Sequence, residues 1–277
     1  MSVDLNWLAA EFKNLRDIQV LGSGGQKEVF SAHDAATGDL VVLKIFHASA
    51  DPERALRELT AAAGFDGHRV PKVIDSGTAT SNVGDHIWFV EEFVEGRTLA
   101  EVILAGAGDP ADVRRWAGQL LETLVAAEAA GVVHRDIKPA NVIIDTSGDA
   151  WLIDFGIARH LGLLSVTPTS AFMGPHSPGY APPEQFVYSK RDIDTRADLF
   201  ALGVTVYECL EGHNPYTQNA LNRDEILTRV TATDLPPITM RDGITPSLVD
   251  LVQSMTRRPI SQRPASAVEA LEWLRES

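Results

Sequence analysis

HRDIKPAN, residues 134–141, is the stretch of this sequence whose reading decides the fold. It sets the carboxylate of Asp136, the cations Arg135 and Lys138 and the carboxamide of Asn141 within eight residues, and an apolar, strand-like run over 142–144 follows at once. Charge of that density beside an apolar run is costly to bury unless the groups have partners or a task. A short hairpin-like stretch then leads to Asp154, Phe155 and Gly156, where another carboxylate stands. The plain alternative for residues 134–136 is a solvated turn with an incidental ion pair. Two charged motifs in order, each flanked by apolar residues, weigh against it.

At 277 residues the chain can form one large domain or two lobes around a sizeable core. Its hydrophobic share of 44% and charged share of 22% are those of a soluble globular protein. A formal net charge of −14 argues against broad binding to nucleic acid or to an anionic membrane, since both draw on clustered Lys and Arg. Basic groups that meet an anion must therefore be placed locally. The single cysteine, Cys209, rules out an internal disulfide and reads as a buried thiol in a reducing cytosol. No apolar run reaches membrane-spanning length, and the acidic, amphipathic start of the chain is not signal-like. A cytoplasmic location is expected, with an anchor in a longer parent protein left open.

Along the first part of the chain, Asp4 caps a short helix with Leu5, Trp7, Leu8, Phe12 and Leu15 as its apolar stripe. Packing is its expected role, with docking of a partner as the alternative. Residues 17–34 read as two alternating segments joined by a glycine-rich turn. Gly22, Gly24 and Gly25 allow backbone N–H groups to approach phosphates closely. LVVLKIFHA, residues 40–48, reads as a buried strand with Val42, Lys44 and Phe46 on one face. A lysine there is costly to bury unless an anion receives it. Asp51, Pro52 and Glu53 start a helix that runs to about Gly64, with Glu58 on the face of Ala61, Ala62 and Phe65 and Glu53 turned away. Residues 70–77 and 86–94 supply two more strands.

Further on, Thr98 and Asp109-Pro110 start helices, and Trp116, Leu120, Leu121 and Leu124 recur at helical spacing until Gly131. Residues 157–184 form a long polar loop, and loops of such length in a compact domain are usually functional. Ser165, Thr167, Thr169 and Ser170 are candidate phosphorylation sites within it. Residues 195–212 are a strongly apolar helix carrying Asp198 near its start, a carboxylate that needs several donors when buried. Thr245-Pro246 starts another helix.

Asp136 with Asn141 five residues later, followed by Asp154-Phe155-Gly156, resembles the catalytic and metal-binding motifs of the eukaryotic-type serine/threonine protein kinases. Lys138, Pro139, Ala140 and Asn141 look closest to the bacterial branch, and the likeness covers about residues 17–274. It implies an α+β fold with two lobes: a five-stranded antiparallel N-lobe sheet plus one helix, and a mainly helical C-lobe. The corresponding division is a helical extension over 1–16, an N-lobe over 17–94 and a C-lobe over 95–277.

The resemblance also implies roles. Asp136 accepts the proton of the substrate hydroxyl, Lys138 and Lys44 neutralise phosphate charge, and Asn141 and Asp154 hold Mg²⁺, with Mn²⁺ as the alternative ion. Glu58 holds Lys44. Leu21, Gly22, Ser23, Gly24, Gly25, Val29, Val42 and Ile143 surround ATP, and Glu92 and Val94 offer backbone groups to the adenine edge. Gly22, Gly24 and Val29 match the family's glycine-rich loop, whereas Lys27 stands at its third glycine and is expected to add a phosphate contact. Glu91 falls where the family places an apolar or small residue behind the adenine. A carboxylate there must be hydrated, protonated or paired, and Lys44 or a neighbouring cation is its expected partner.

Arg135 is placed to receive a phosphate of the long loop, and Ser177 to bridge Asp136 and Lys138. Asp198 is expected to bond the backbone of the catalytic loop. Glu184, in Pro182-Pro183-Glu184 where the family has Ala-Pro-Glu, pairs with Arg263 as a long-range clamp. The expected activity is transfer of the γ-phosphoryl group of ATP to protein Ser or Thr, which Lys138 favours over Tyr. Two copies would phosphorylate one another in the loop; no nucleic acid and no membrane segment are expected. The alternatives are a nucleotide-binding pseudokinase and a small-molecule phosphotransferase of the aminoglycoside-kinase type. Every reacting position is filled, against the first, and Gly156, Glu184 and Arg263 with their motifs oppose the second.

Overall fold

A computed structural model of the chain describes residues 3–23, 27–47, 69–82, 84–155, 177, 179–187 and 193–276. The chain divides into two units: Met1–Asp66 with Pro71–Val94 and Ile157–Ser165, and Gly67–Val70 with Glu95–Gly156 and Val166–Ser277.

In the first unit the helix α1 spans Leu5–Glu11, and the Asp4 carboxylate accepts the Asn6 N–H at 3.0 Å. The helix is shorter than its apolar stripe. Phe12 is already its C-cap, and the Leu15 N–H bonds back to the Phe12 carbonyl at 2.9 Å, which turns the chain into a strand. Leu15 therefore belongs to β1, and Leu5 points to solvent at 53% exposure. The strands are β1 (Leu15–Ser23), β2 (Lys27–Asp34), β3 (Leu40–His47), β4 (Val73–Ser81) and β5 (Gly84–Glu92). They form one antiparallel sheet in the order β1-β2-β3-β5-β4, the five-stranded sheet expected from the family resemblance.

Both faces of this sheet have a task. Phe30, Ala32, Val41, Leu43, Ile45 and Val90 line one face and pack with Val3, Leu8, Phe12 and Leu15, so α1 covers it. Trp7 donates its indole N–H to the Thr80 carbonyl at 3.2 Å, and the Phe12 and Trp88 rings meet edge to face at 5.3 Å. Gly77 lies opposite Trp88 in the register, and a Cβ at that position would sit 2.6 Å from the indole ring. The Val3 N–H donates to the buried Glu28 carboxylate at 2.9 Å, which fastens the start of the chain to β2. The register places Lys27, Val29, Val42, Lys44, Phe46, Phe89 and Glu91 on the opposite face. The expected helix from Asp51, with Glu58, lies outside the described residues.

The second unit is mainly helical, as expected. A short sheet orders β6 (Gly96–Thr98), β7 (Val142–Asp145) and β8 (Ala150–Leu152). Thr98 begins α2 (Leu99–Leu104) with a reciprocal cap: its hydroxyl accepts the Glu101 N–H, and the Glu101 carboxylate accepts the Thr98 N–H. Asp109 caps α3 (Pro110–Ala129), whose buried side includes Val113, Trp116, Leu120, Leu121 and Leu124. The helix stops before Gly131, whose φ of 69° suits glycine best. There follow α4 (Glu184–Val187), α5 (Thr195–Glu211), α6 (Arg223–Ala232), α7 (Pro246–Met255) and α8 (Ala267–Glu276). Apolar almost all round, α5 is buried along nearly its whole length, with α3 and α7 packed against it and α8 against α3. Among the described residues no helix is long and apolar enough to cross a membrane.

Candidate functional site

Two non-glycine residues with left-handed backbones mark the site: Arg135 at φ 65° and Asp154 at φ 61°. Such conformations persist where surrounding bonds over-determine them. For Arg135 the bonds come from α5. Asp198, 1% exposed, accepts the His134 N–H on one carboxylate oxygen and the Arg135 N–H on the other, each at 2.7 Å. Burial pushes the Arg135 guanidinium below its ordinary pKa, while the Asp198 charge works in the opposite direction.

His134 carries the constraint onward. Its Nδ1 accepts the Asp136 N–H at 3.2 Å, and its Nε2–H donates to the Ile153 carbonyl at 3.1 Å. The imidazole also packs on the Phe155 ring, with 4.6 Å between centroids. One neutral histidine tautomer thus joins the loop of Asp136 to the segment of Asp154. Sequence alone assigns His134 no role, and the signal for one is its place two residues before Asp136.

The carboxylate of Asp136 is held on both oxygens. Ser177 donates its hydroxyl to Oδ1 at 2.8 Å, and Lys138 Nζ and Asn141 Nδ2 each donate to Oδ2 at 3.0 Å. Lys138 Nζ also donates to Ser177 Oγ at 2.7 Å, closing a triangle. Asn141 gives its second amide proton to the Asp136 carbonyl at 2.8 Å, and its own carbonyl accepts the Ile153 N–H at 2.9 Å. With Nδ2 committed, the side-chain oxygen of Asn141 accepts no hydrogen bond among the described residues.

Glu184 and Arg263 form a buried bidentate pair at 2.5 and 2.9 Å. The remaining guanidinium bonds go to the carbonyls of Arg196, Arg257 and Arg258, and the group stacks 4.9 Å from the centre of the Phe200 ring. Near it, Tyr180 donates to the Glu208 carboxylate at 2.5 Å. Burial raises the pKa of both groups, so the phenol keeps its proton and serves as donor. This pair was missed in the sequence, where Glu208 reads as one more acid on an apolar helix.

In the first unit Lys44 Nζ lies 2.5 Å from Glu91 Oε2, with the two residues 4% and 6% exposed. Val29 and Val42 share their face, and Lys27 stands at its edge opposite Phe46. Gly22 pairs with Val29, Ser23 pairs with Glu28, and Leu21 is exposed. Glu92 ends β5, its N–H donating to the Lys72 carbonyl at 3.0 Å and its side-chain carboxylate accepting the Lys72 N–H at 3.2 Å, and Val94 follows it. Ile143, in the second unit, is half-buried on β7 between Thr98 and Trp151. Gly24, Gly25, Gly156, Glu58 and the hydroxyls of Ser165, Thr167, Thr169 and Ser170 lie outside the described residues.

Residues 15–274 match the model of the protein kinase domain. The chain is 34% identical over 276 residues to the serine/threonine-protein kinase pkn2 of Myxococcus xanthus, covering 94% of this chain and 32% of that protein. It is 33% identical over 256 residues to the serine/threonine-protein kinase PknL of Mycobacterium tuberculosis H37Rv, covering 90% and 61%. To PknB of Mycobacterium leprae it is 30% identical over 258 residues, covering 90% and 40%. The chain thus spans less than two thirds of the length of each of these curated relatives.

Proposed function

Because the chain belongs to the protein kinase family, with bacterial serine/threonine kinases as its relatives, we propose that it transfers the γ-phosphoryl group of ATP to serine and threonine hydroxyls of proteins. The observation that carries this reading is the Asp136 carboxylate, fixed on both oxygens by Lys138, Asn141 and Ser177 in a loop anchored to Asp198. A carboxylate so held is oriented before substrate arrives, and orientation accounts for much of the rate in phosphoryl transfer.

Asp136 receives the proton of the incoming hydroxyl. Lys138, donating to both Asp136 and Ser177, keeps a cation beside the acceptor oxygen and offsets charge on the transferred group. Ser177 aligns the two and does not react. Asn141 and Asp154 are assigned to Mg²⁺, or to Mn²⁺ through the same oxygen donors. The residues fit: Asn141 has committed its amide protons and keeps an oxygen, and hard cations take oxygen ligands. When bound, the ion offsets the charge of the β- and γ-phosphates.

Lys44 is assigned to the α- and β-phosphates, with Glu58 as a carboxylate supporting it. Leu21, Gly22, Ser23, Gly24, Gly25, Val29, Val42 and Ile143 are assigned to the nucleotide, and the backbone of Glu92 and Val94 to its adenine. Lys27, on the face of Lys44, supplies a further phosphate contact. Arg135 receives a phosphate placed on Ser165, Thr167, Thr169 or Ser170 by a second copy of the chain. A cytoplasmic location, where ATP is at hand, belongs to the same proposal.

The test is incubation with labelled ATP, Mg²⁺ and a generic basic protein, beside Asp136→Asn. Transfer to serine or threonine is expected, reduced by at least about a hundredfold in the variant. Label found only on small metabolites, or equal transfer by both proteins, overturns the reading.

A further inference from the structure

Glu91 is a buried acid with no part in phosphoryl transfer as set out above. Its place follows from the register: Val42 pairs with Glu91 and Lys44 with Phe89, so the carboxylate of β5 lies diagonally across from the ammonium of β3 on one face. The two charges are 2.5 Å apart, and both residues are almost wholly withdrawn from water. Val29, Val42 and Phe89 surround them with apolar surface, where attraction between charges is far less screened than in solvent.

We propose that Glu91 is a resident counter-ion of Lys44 and determines nucleotide affinity, because the α- and β-phosphates must share or take over an ammonium that a carboxylate already holds. This rests on the phosphotransfer reading, in which Lys44 receives those phosphates. An anion approaching a neutral ion pair gains less than one approaching a bare cation, and it also meets the repulsion of the carboxylate. The exchange needs only that Glu91 be one partner of the ammonium, whatever else Lys44 touches. It acts on the phosphate part of the ligand and leaves adenosine alone. Glu91 is thus a positioning and affinity-setting residue, not a reacting one.

The experiment compares binding of MgADP and of adenosine to the whole chain by calorimetry, for the natural protein, Glu91→Gln, Glu91→Met, Lys44→Ala and Lys44→Ala with Glu91→Gln. Both Glu91 variants should bind MgADP about tenfold tighter, equivalent to about 1.4 kcal/mol, with adenosine unchanged. In the Lys44→Ala background the gain from Glu91→Gln should differ from that in the natural chain, as expected for two charges that act through each other, and equal gains in the two backgrounds count against the inference. Glu91→Met keeps the length of the side chain and serves if the Gln variant does not fold, which circular dichroism reports. MgADP affinity that is unchanged or weaker in the folded variants, or adenosine affinity that moves in parallel, overturns the inference alone. A natural protein that binds neither ligand overturns it together with the phosphotransfer reading.

Discussion

Replacing Asp198 by asparagine tests how far the central helix sets the geometry of the loop that carries Asp136. The change is nearly isosteric, and its effect can be worked from two bonds. One carboxylate oxygen becomes an NH₂ that faces a backbone N–H, either that of His134 or that of Arg135, at a site now 2.7 Å across. The lost bond to a charged acceptor costs about 1.5–3 kcal/mol, and the buried N–H left without a partner adds about 1–3 kcal/mol. The Arg135 guanidinium also loses a nearby negative charge in a buried setting. Destabilisation of about 2.5–6 kcal/mol is therefore expected, a large share of the roughly 5–15 kcal/mol by which domains are stable. Arg135 is released from its left-handed backbone, and Asp136, the next residue, shifts with it. A displacement of about 1 Å there costs on the order of a hundredfold in turnover. Urea unfolding followed by tryptophan fluorescence measures the first quantity, and initial rates at a temperature where the variant is fully folded measure the second. A loss under about 1 kcal/mol with turnover intact would mean that the loop holds its own shape, and the reasoning would be wrong.

Two further outcomes are expected. Arg263→Lys keeps the charge opposite Glu184 but removes the planar fork and most of its five donated bonds, so the melting temperature should fall by at least about 4 °C, read by differential scanning calorimetry; an unchanged midpoint refutes it. Asp145, whose carboxyl is held down to about 2 by Ser147, Asp149 and Trp151 against the opposing effect of burial, stabilises the β7–β8 turn above the ordinary aspartate pKa and loses that contribution as pH falls through the depressed one. The gap in urea midpoint between the natural chain and Asp145→Asn should then shrink between about pH 4 and about pH 2, and a gap constant with pH would count against it.

Part of this molecule could be read from local residue types and spacing, and part through motifs that stand far apart in the chain. Helix starts at Asp4, Thr98, Asp109 and Thr245 were legible because a cap is a bond between neighbours in sequence. The triangle of Asp136, Lys138 and Ser177 and the pair of Glu184 and Arg263 followed from family motifs in order. The Lys44–Glu91 contact could be anticipated for a different reason: a buried lysine and a buried glutamate on adjoining strands have few other ways to be satisfied. What stayed hidden was set by tertiary packing. A helical stripe that includes Leu5 and Leu15 does not reveal that Phe12 ends the helix, since periodicity is blind to where a backbone turns. Arg135 and Asp154 gave no hint of their positive φ, because neither is a glycine and the restraint comes from residues distant in sequence. The meeting of Tyr180 with Glu208 likewise depends on a loop laid over a helix.

The seating of α1 on the sheet has a practical side. The family match begins at residue 15, a natural place to trim the gene for recombinant work. A product cut there would leave Val41, Leu43 and Ile45 uncovered and would strip Trp88 of its aromatic neighbour. Greasy patches of that kind make proteins sticky, so the shortened version should precipitate or cling to chaperones while the catalytic motifs remain letter-perfect. Residues 3–14 are upholstery that the frame was built to wear.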